Sequence, residues 1–351
     1  MFKSYRYEPY KLKGEFMIKP VISIIGAGGM VGMELLELIE KRKFPYSEIK
    51  MFGSGKKTKY VFFKNKKYFL KEPNLEELVK SDIVFFVSSD EVSKKFAKEL
   101  AQKGVWCIDD SSAFRTDEKV PLVIPEINGD IINEKTKLIA GPNCTLTPLA
   151  ISCYQIHKKY KIKEIRMATY QAVSGAGRRA LNEFFYEAES FVKTGKVKIK
   201  EKVLPKQIAF NIFPQVGSFD ENGLSGEEKK VEFEVRKIWG DKKIDLSCYA
   251  VRVPVVRGHS LAVWVKTQKS WSIGNLKEIL CKTDGCKFYE KHEDYQTPID
   301  VSKKYYVAAS RLKKTPFKNE FSLWLCGDNL YKGAALNSIQ IAELILKKFL
   351  Q

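Results

Sequence analysis

The sequence predicts an α/β chain with two parts: an N-terminal doubly wound domain around a parallel sheet, then an α+β unit. Two observations carry the first part. Uninterrupted apolar runs such as Val21–Ile25 and Ile83–Val87 suit strands buried on both faces. A glycine turn and an amphipathic helix follow the first run, which is the order of a βαβ unit. The second part is marked by a change of texture after the helix that follows Cys144. At 351 residues the chain also exceeds one ordinary core. The expected division is 1–142, completed by a returning helix in 329–351, and 143–328.

Composition narrows the class. Hydrophobic residues make up 44% and charged residues 29%, a globular balance. No apolar run approaches the roughly 18–20 residues that span a bilayer, so no membrane partner is expected. Residues 1–16 are basic and aromatic without the apolar core of a signal peptide. They read as an extension, with Met17 an alternative start. The seven cysteines are scattered, without a C-x-x-C pair. They are expected to be free thiols in a reducing cytoplasm, with no metal site. The net charge is +19. Its lysines are spread out and no nucleic-acid motif accompanies them, so a solvated surface is expected rather than a nucleic-acid partner. Such a surface also attracts phosphorylated, acidic small molecules.

The elements then follow in order. Gly26-Ala27-Gly28-Gly29-Met30-Val31-Gly32 is a Gly-x-x-Gly-x-x-Gly turn between the first strand and a helix to about Lys41. Glycines let backbone approach a pyrophosphate, and the helix N-terminus binds its charge, so a Rossmann-like site is expected here. The second strand ends near Ile49–Phe52. An NAD site usually has an acid there; this chain has Ser54, Lys56 and Lys57 instead, which suit a 2′-phosphate and favour NADP over a plain polar hairpin turn. Ser88 ends the strand Ile83–Val87. A helix from Glu91 to Lys103 and a strand from Val105 to Ile108 follow. Arg115 comes next, at the sheet edge where ligands bind, either a phosphate clamp or a surface arginine.

Ile139 to Pro148 reads as strand, tight turn and helix start. Cys144 is thereby placed at a helix N-terminus, where free N–H groups and the dipole favour a thiolate. The plain alternative is a small buried hydrophobe. Beyond it, Glu164–Val173 reads as a strand and Arg178–Val192 as a helix. Lys193–Gln207 reads as an exposed basic connector. Ser225 opens a helix on which Glu227 and Lys230 form, on the simplest reading, a solvated i,i+3 ion pair. Two strand-like runs flank Pro254 and Gly258. On an unbroken strand Arg252 and His259 face opposite ways, and the break permits convergence. Residues 266–304 give no firm assignment beyond a helix near Leu276. Asn329–Asn337 precede an amphipathic helix to Leu350, which suggests a return to the first domain.

A catalytic cysteine needs an acid/base nearby. The chain has three histidines. His157 lies 13 residues along the Cys144 helix, roughly 20 Å away. His292 sits in a solvated charged run. Elimination leaves His259.

Taken together, these residues resemble aspartate-semialdehyde dehydrogenase from about Val21 onward. The matching motifs are Gly26-x-x-Gly29-x-x-Gly32, Gly141-Pro142-Asn143-Cys144-Thr145, Tyr170 to Gly177, the Glu227/Lys230 helix, Arg252 to Ser260, and Asn329 to Ala335. The resemblance implies interconversion of L-aspartate 4-semialdehyde, phosphate and NADP⁺ with 4-phospho-L-aspartate and NADPH, on the route to lysine, methionine and threonine. It implies Cys144 as acyl nucleophile, His259 as acid/base, and Gln171 orienting the acyl group. Arg252 grips the substrate carboxylate and Glu227 its ammonium. Arg115 and Lys230, with Asn143 nearby, hold phosphate. Cofactor contacts are then expected from the glycine turn, Ser54, Lys56, Ser88, Ser174, Gly175 and Asn329. The implied assembly is a homodimer or homotetramer, paired through the second, catalytic and dimerisation domain.

Two positions depart from the family pattern. Lys229 replaces an aromatic before the lysine of the Glu/Lys helix, and Ser54-Gly55-Lys56-Lys57 replaces Ser-x-Arg-Ser. The rival within the fold is an N-acetylglutamyl-phosphate reductase, whose Gly-Cys-Tyr-Pro context is absent. The rival from another class is a basic nucleic-acid-binding Rossmann protein.

Overall fold

A computed structural model describes residues 18–54 and 59–350. The expectations for residues 1–16, Met17, Lys56 and Lys57 lie outside the described residues.

The N-terminal part alternates as expected: β1 (Val21–Ile25), α1 (Met30–Lys41), β2 (Glu48–Phe52), a hairpin β3 (Tyr60–Phe63) and β4 (Lys66–Phe69), a short α2 (Leu75–Leu78), β5 (Ile83–Phe86), α3 (Asp90–Gln102), β6 (Trp106–Asp109), α4 (Pro125–Asn128) and β7 (Leu138–Ala140). The long strands pair in parallel, in the order β2-β1-β5-β6-β7. All four residues of β5 are buried, as its unbroken apolar run requires. The hairpin has no counterpart in the sequence reading. Strand β3 alternates exposed and buried residues, and its buried pair, Val61 and Phe63, joins the core beside β2, while β4 buries none of its residues.

The second part begins with α5 (Thr147–Tyr160), β8 (Ile162–Gln171), α6 (Gly177–Thr194) and α7 (Gly226–Trp239), then β9 (Asp245–Arg252) and β10 (His259–Thr267). It continues through α8 (Ile273–Lys282), β11 (Cys286–Phe288), a short α9 (Pro298–Val301), β12 (Val307–Lys314) and β13 (Glu320–Gly327). These strands form one mixed sheet in the order β11-β12-β13-β10-β8-β9. One face carries Ile165, Met167, Leu261 and Val263, packed with Leu149 and Ile156 of α5 and Val231 of α7. The connector 193–207 is not merely a solvated strap. Glu183 of α6 accepts from the backbone of Lys200 and Glu201, and Glu187 from Ile208 and Ala209. These two carboxylates pin the connector while its lysine side chains stay in water.

After β13 the chain makes one π-helical turn, Tyr331–Ala335, and enters α10 (Leu336–Phe349). Helix α10 does return to the first sheet. Leu336, Ile339, Ala342 and Ile345 pack against Ile22, Ile24, Phe85 and Ile108. The opposite face of that sheet shares a continuous core with α5 and the second sheet, because Phe86, Leu122, Leu149 and Leu325 belong to one buried cluster.

Candidate active site

The turn after β7 carries Cys144. Helix α5 starts at Thr147, so the cysteine stands just ahead of the helix rather than within its first turn. Local groups hold the turn. The Asn143 side-chain oxygen accepts from the Thr145 N–H at 2.6 Å, and the Asn143 carbonyl accepts from the Thr147 hydroxyl at 2.9 Å. The π-helical turn closes the other side. A β-carbon on Gly333 would stand 2.7 Å from Cys144 Cβ.

Cys144 Sγ lies 3.5 Å from His259 Nε2. The other ring nitrogen, Nδ1, accepts from the Ala172 N–H at 3.0 Å. A neutral ring therefore carries its hydrogen on Nε2, facing the sulfur. His259 is fully buried. Burial, then the charge of Arg252, push its pKa down to about 3. The thiol moves the other way. Burial, then the Glu227 carboxylate, push Cys144 up to about 12, while Arg115 and Arg252 oppose the rise. Both directions run against the thiolate that a helix terminus favours. Desolvation is the largest cause acting on the Cys144 thiol.

The break between β9 and β10 lets Arg252 and His259 converge. A β-carbon on Gly175 would come 3.2 Å from both Arg252 Nη1 and His259 Nε2. Arg252 Nη1 donates to the Ala172 carbonyl at 2.6 Å, and its Nε is buried without a partner. The same short segment, Ala172, thus orients both side chains.

The Glu227–Lys230 expectation is also corrected. Glu227 is 8% exposed and belongs to a buried network, not a solvated ion pair. Its Oε1 accepts from the Thr145 hydroxyl at 2.8 Å and from Gln171 Nε2 at 2.9 Å. Gln171 Nε2 also donates to Thr145 Oγ1 at 2.6 Å. Burial alone raises a carboxyl pKa, yet hydrogen bonding involving Asn143 and the charge of Lys230 hold Glu227 below its ordinary value. Arg115 is buried rather than a surface residue. It donates from Nη2 to the Asp110 carbonyl at 2.8 Å and from Nη1 to Glu234 at 3.2 Å, and its Nε has no partner.

The cofactor candidates gather at the end of the first sheet. Glycine is required in the turn: β-carbons would stand 2.5 Å from the Val87 carbonyl at Gly26 and 2.3 Å from the Gly26 carbonyl at Gly32. No side chain caps α1, and no acid occupies its first turn. Ser88 Oγ, beside Gly26, is buried without a partner. Those three features fit a dinucleotide phosphate. Asn329 bonds Ser174 Oγ through Nδ2 at 3.0 Å and accepts from the Gly258 N–H at 2.9 Å. Ser54 is exposed just past β2.

Some site residues were not found from sequence. Arg178 reaches the Gly28 carbonyl, and Arg257 pairs with Asp328 and with Glu34 of α1. Glu234 continues the spacing of Glu227 and Lys230 along one face of α7, the one signal that pointed to it.

The fold and the site together define a class, the semialdehyde dehydrogenases. Residues 21–135 match the semialdehyde dehydrogenase NAD binding domain, and residues 154–332 match the semialdehyde dehydrogenase dimerisation domain. The aspartate-semialdehyde dehydrogenase of Aquifex aeolicus is 37% identical, covering 93% of this chain and 98% of the relative. That of Synechocystis is 36% identical, with 93% and 97% covered. Aspartate semialdehyde dehydrogenase II from Vibrio cholerae superposes with a TM-score of 0.89 at 33% identity, over 95% of this chain and all of that one; the same enzyme has been solved complexed with ASA. The Candida albicans enzyme with NADP shares the fold, with a TM-score of 0.71 at 20% identity over 93% of this chain and 98% of that one. The chain belongs to the aspartate-semialdehyde dehydrogenase family.

Proposed function

We propose that this chain reduces 4-phospho-L-aspartate to L-aspartate 4-semialdehyde with release of phosphate, and runs the reverse with phosphate and NADP⁺. The observation that carries this is a thiol–imidazole pair next to a buried arginine and a buried glutamate. The relatives at 35–37% identity bear the name of the same enzyme. Cys144 sulfur attacks the acyl carbon, the carbon–oxygen bond to phosphate breaks, and a thioester remains on the protein. Arg115 and Lys230 bind the departing phosphate. Gln171 orients the acyl group. A nicotinamide held at the glycine turn would supply the hydride for the thioester carbon, and Cys144 sulfur then leaves that carbon as the aldehyde is freed.

His259 handles protons at the sulfur and the acyl oxygen. In the geometry observed, its Nε2–H donates toward sulfur and stabilises the thiolate once formed. To act as base, the ring must trade tautomers and release Ala172 N–H. Arg252 holds the α-carboxylate in a two-bond fork and Glu227 attracts the α-ammonium. An N-acetylated substrate has no ammonium to offer, which weighs against the reductase alternative.

The cofactor unit is 1–142 with 329–351, and the catalytic and dimerisation unit is 143–328. The absence of an acid after β2 favours NADP, held by the glycine turn, Ser54, Ser88, Ser174, Gly175 and Asn329. The assembly is a homodimer or homotetramer. Its subunits pair through the open face of the second sheet, where Tyr170, Tyr249 and Trp264 are exposed and a cavity of about 350 Å³ is lined by Trp264, Tyr295 and Trp324. Among the described residues no helix is long and apolar enough to cross a membrane.

The test is phosphate-dependent reduction of NADP⁺ and of NAD⁺, with aspartate semialdehyde set against N-acetylglutamate semialdehyde. The expected result is strong preference for NADP⁺ and the free amino-acid substrate. Preference for the acetylated substrate would overturn the substrate assignment, and equal use of NAD⁺ would overturn the cofactor assignment.

A further inference from the structure

Helix α7 presents Glu227, Lys230, Glu234 and Lys237 at spacings of three, four and three, which places them on one face. The first two belong to the proposed substrate site. Glu234 has no assigned contact with substrate, yet it is 1% exposed. Its carboxylate spans two parts of the site. Oε1 accepts from Arg115 Nη1 at 3.2 Å, and Oε2 accepts from the Asn143 backbone N–H at 2.6 Å. One turn on, Lys237 donates to the carbonyls of Arg115, Asp117 and Val120, each at 2.8 Å. Arg115 and the residue preceding Cys144 are thus fixed to the same rigid helix.

We propose that Glu234 is a positioning residue that registers the phosphate-binding arginine against the nucleophile turn and offsets that arginine's charge. With one N–H each of Nη1 and Nη2 committed to Glu234 and Asp110, the orphan Nε and the remaining Nη N–H groups of Arg115 are left for phosphate oxygens. The offset has a second effect. Arg115 lowers the Cys144 pKa, so an uncompensated Arg115 lowers it further. It also grips phosphate less selectively in orientation, because nothing fixes its plane. Glutamine cannot replace the carboxylate, since its amide nitrogen would face either the guanidinium or the Asn143 N–H, donor against donor.

This inference rests on Arg115 binding phosphate and Cys144 being the nucleophile. The experiment measures KM for phosphate, KM for aspartate semialdehyde, and the pH profile of Cys144 alkylation in wild type, Glu234→Gln and Arg115→Lys. Expected for Glu234→Gln is a rise of about tenfold or more in phosphate KM, a semialdehyde KM within about threefold of wild type, and an alkylation profile moved to lower pH. A residue that merely supports the fold would move both KM values together and leave the profile in place. If Arg115→Lys leaves phosphate KM unchanged, the functional reading fails first. If Arg115→Lys raises it and Glu234→Gln alters neither phosphate KM nor the profile, the present inference alone is overturned. Glu234→Asp is the second variant, should the glutamine protein not fold. It keeps the charge but reaches one partner only, so phosphate KM should rise without a shift in the profile; an unchanged phosphate KM would overturn the proposal equally.

Discussion

Gly333 and Cys144 touch so closely that the glycine has no room for a side chain. A methyl group there would sit 2.7 Å from Cys144 Cβ and 3.1 Å from its Cα. The contact is made by a π-helical turn, which carries Gly333 to the nucleophile. The turn is anchored by Lys332, wholly buried and bonded to Glu126 at 2.7 Å and Gln340 at 2.6 Å. Gly333→Ala must therefore displace the sulfur or the turn. We expect kcat to fall by about a hundredfold, with a stability loss of about 1–3 kcal/mol. Steady-state kinetics and urea unfolding check both, and a variant with wild-type kcat would show that the turn yields without moving sulfur.

Arg252→Lys separates substrate recognition from cofactor binding. Lysine cannot reproduce a planar two-bond grip on a carboxylate, nor reach the Ala172 carbonyl and the ligand together. The expected cost is about 2–4 kcal/mol in kcat/KM for aspartate semialdehyde. NADPH affinity, read by fluorescence titration, should barely change. Intact substrate kinetics with weakened NADPH binding would move Arg252 to the cofactor site.

Alkylation without substrate should not select Cys144 first. Its thiol is pushed up to about 12, whereas Cys281 is exposed, though its own thiol is also raised by burial and by Glu290. Reactivity follows both thiolate fraction and access. Peptide mapping after brief iodoacetamide treatment at neutral pH should find Cys281 modified ahead of Cys144. The opposite order would mean that the free enzyme holds its nucleophile ionised.

Buried, neutral His259 makes stability depend on pH. Its pKa in the fold is about 3, against about 6.5 for an unfolded imidazole. Between those values the unfolded chain binds the extra proton, so stability falls as pH drops through that window. From pH 7 to pH 5 the wild type should lose about 2 kcal/mol more than His259→Gln. His157 stays in both proteins and cancels. Parallel urea curves for the two proteins at the two pH values would refute the assignment.

The parts of the fold that depend on neighbouring residues were legible in the sequence. A buried parallel strand, a glycine turn and a helix announce themselves within one stretch, as Val21 to Lys41 does. The strands β12 and β13 were not read. Strand β13 is buried nearly throughout, so it lacks the alternation that marks a half-exposed strand. The Cys144 turn was legible as a local motif and His259 by elimination among three histidines, and the structure sets the two 3.5 Å apart. Glu234 was missed because its partners Arg115 and Asn143 lie 119 and 91 residues away. The direction of the Cys144 pKa was hidden for a related reason. A helix terminus is visible locally, but the burial that opposes it, and the Glu227 charge that adds to it, depend on distant segments.

The return of α10 to the first sheet has a consequence for how the protein is made. Ribosomes emit the strands β1 to β7 long before Leu336 to Leu346 exist, and domains ordinarily fold as they emerge. Here one flank of that sheet is left without the apolar residues that cover Ile22, Ile24, Phe85 and Ile108 until α10 leaves the exit tunnel. For most of synthesis the nascent chain therefore carries an exposed, sticky parallel sheet. Its closure waits for α10 to emerge, and that interval is when a chaperone would find most to bind.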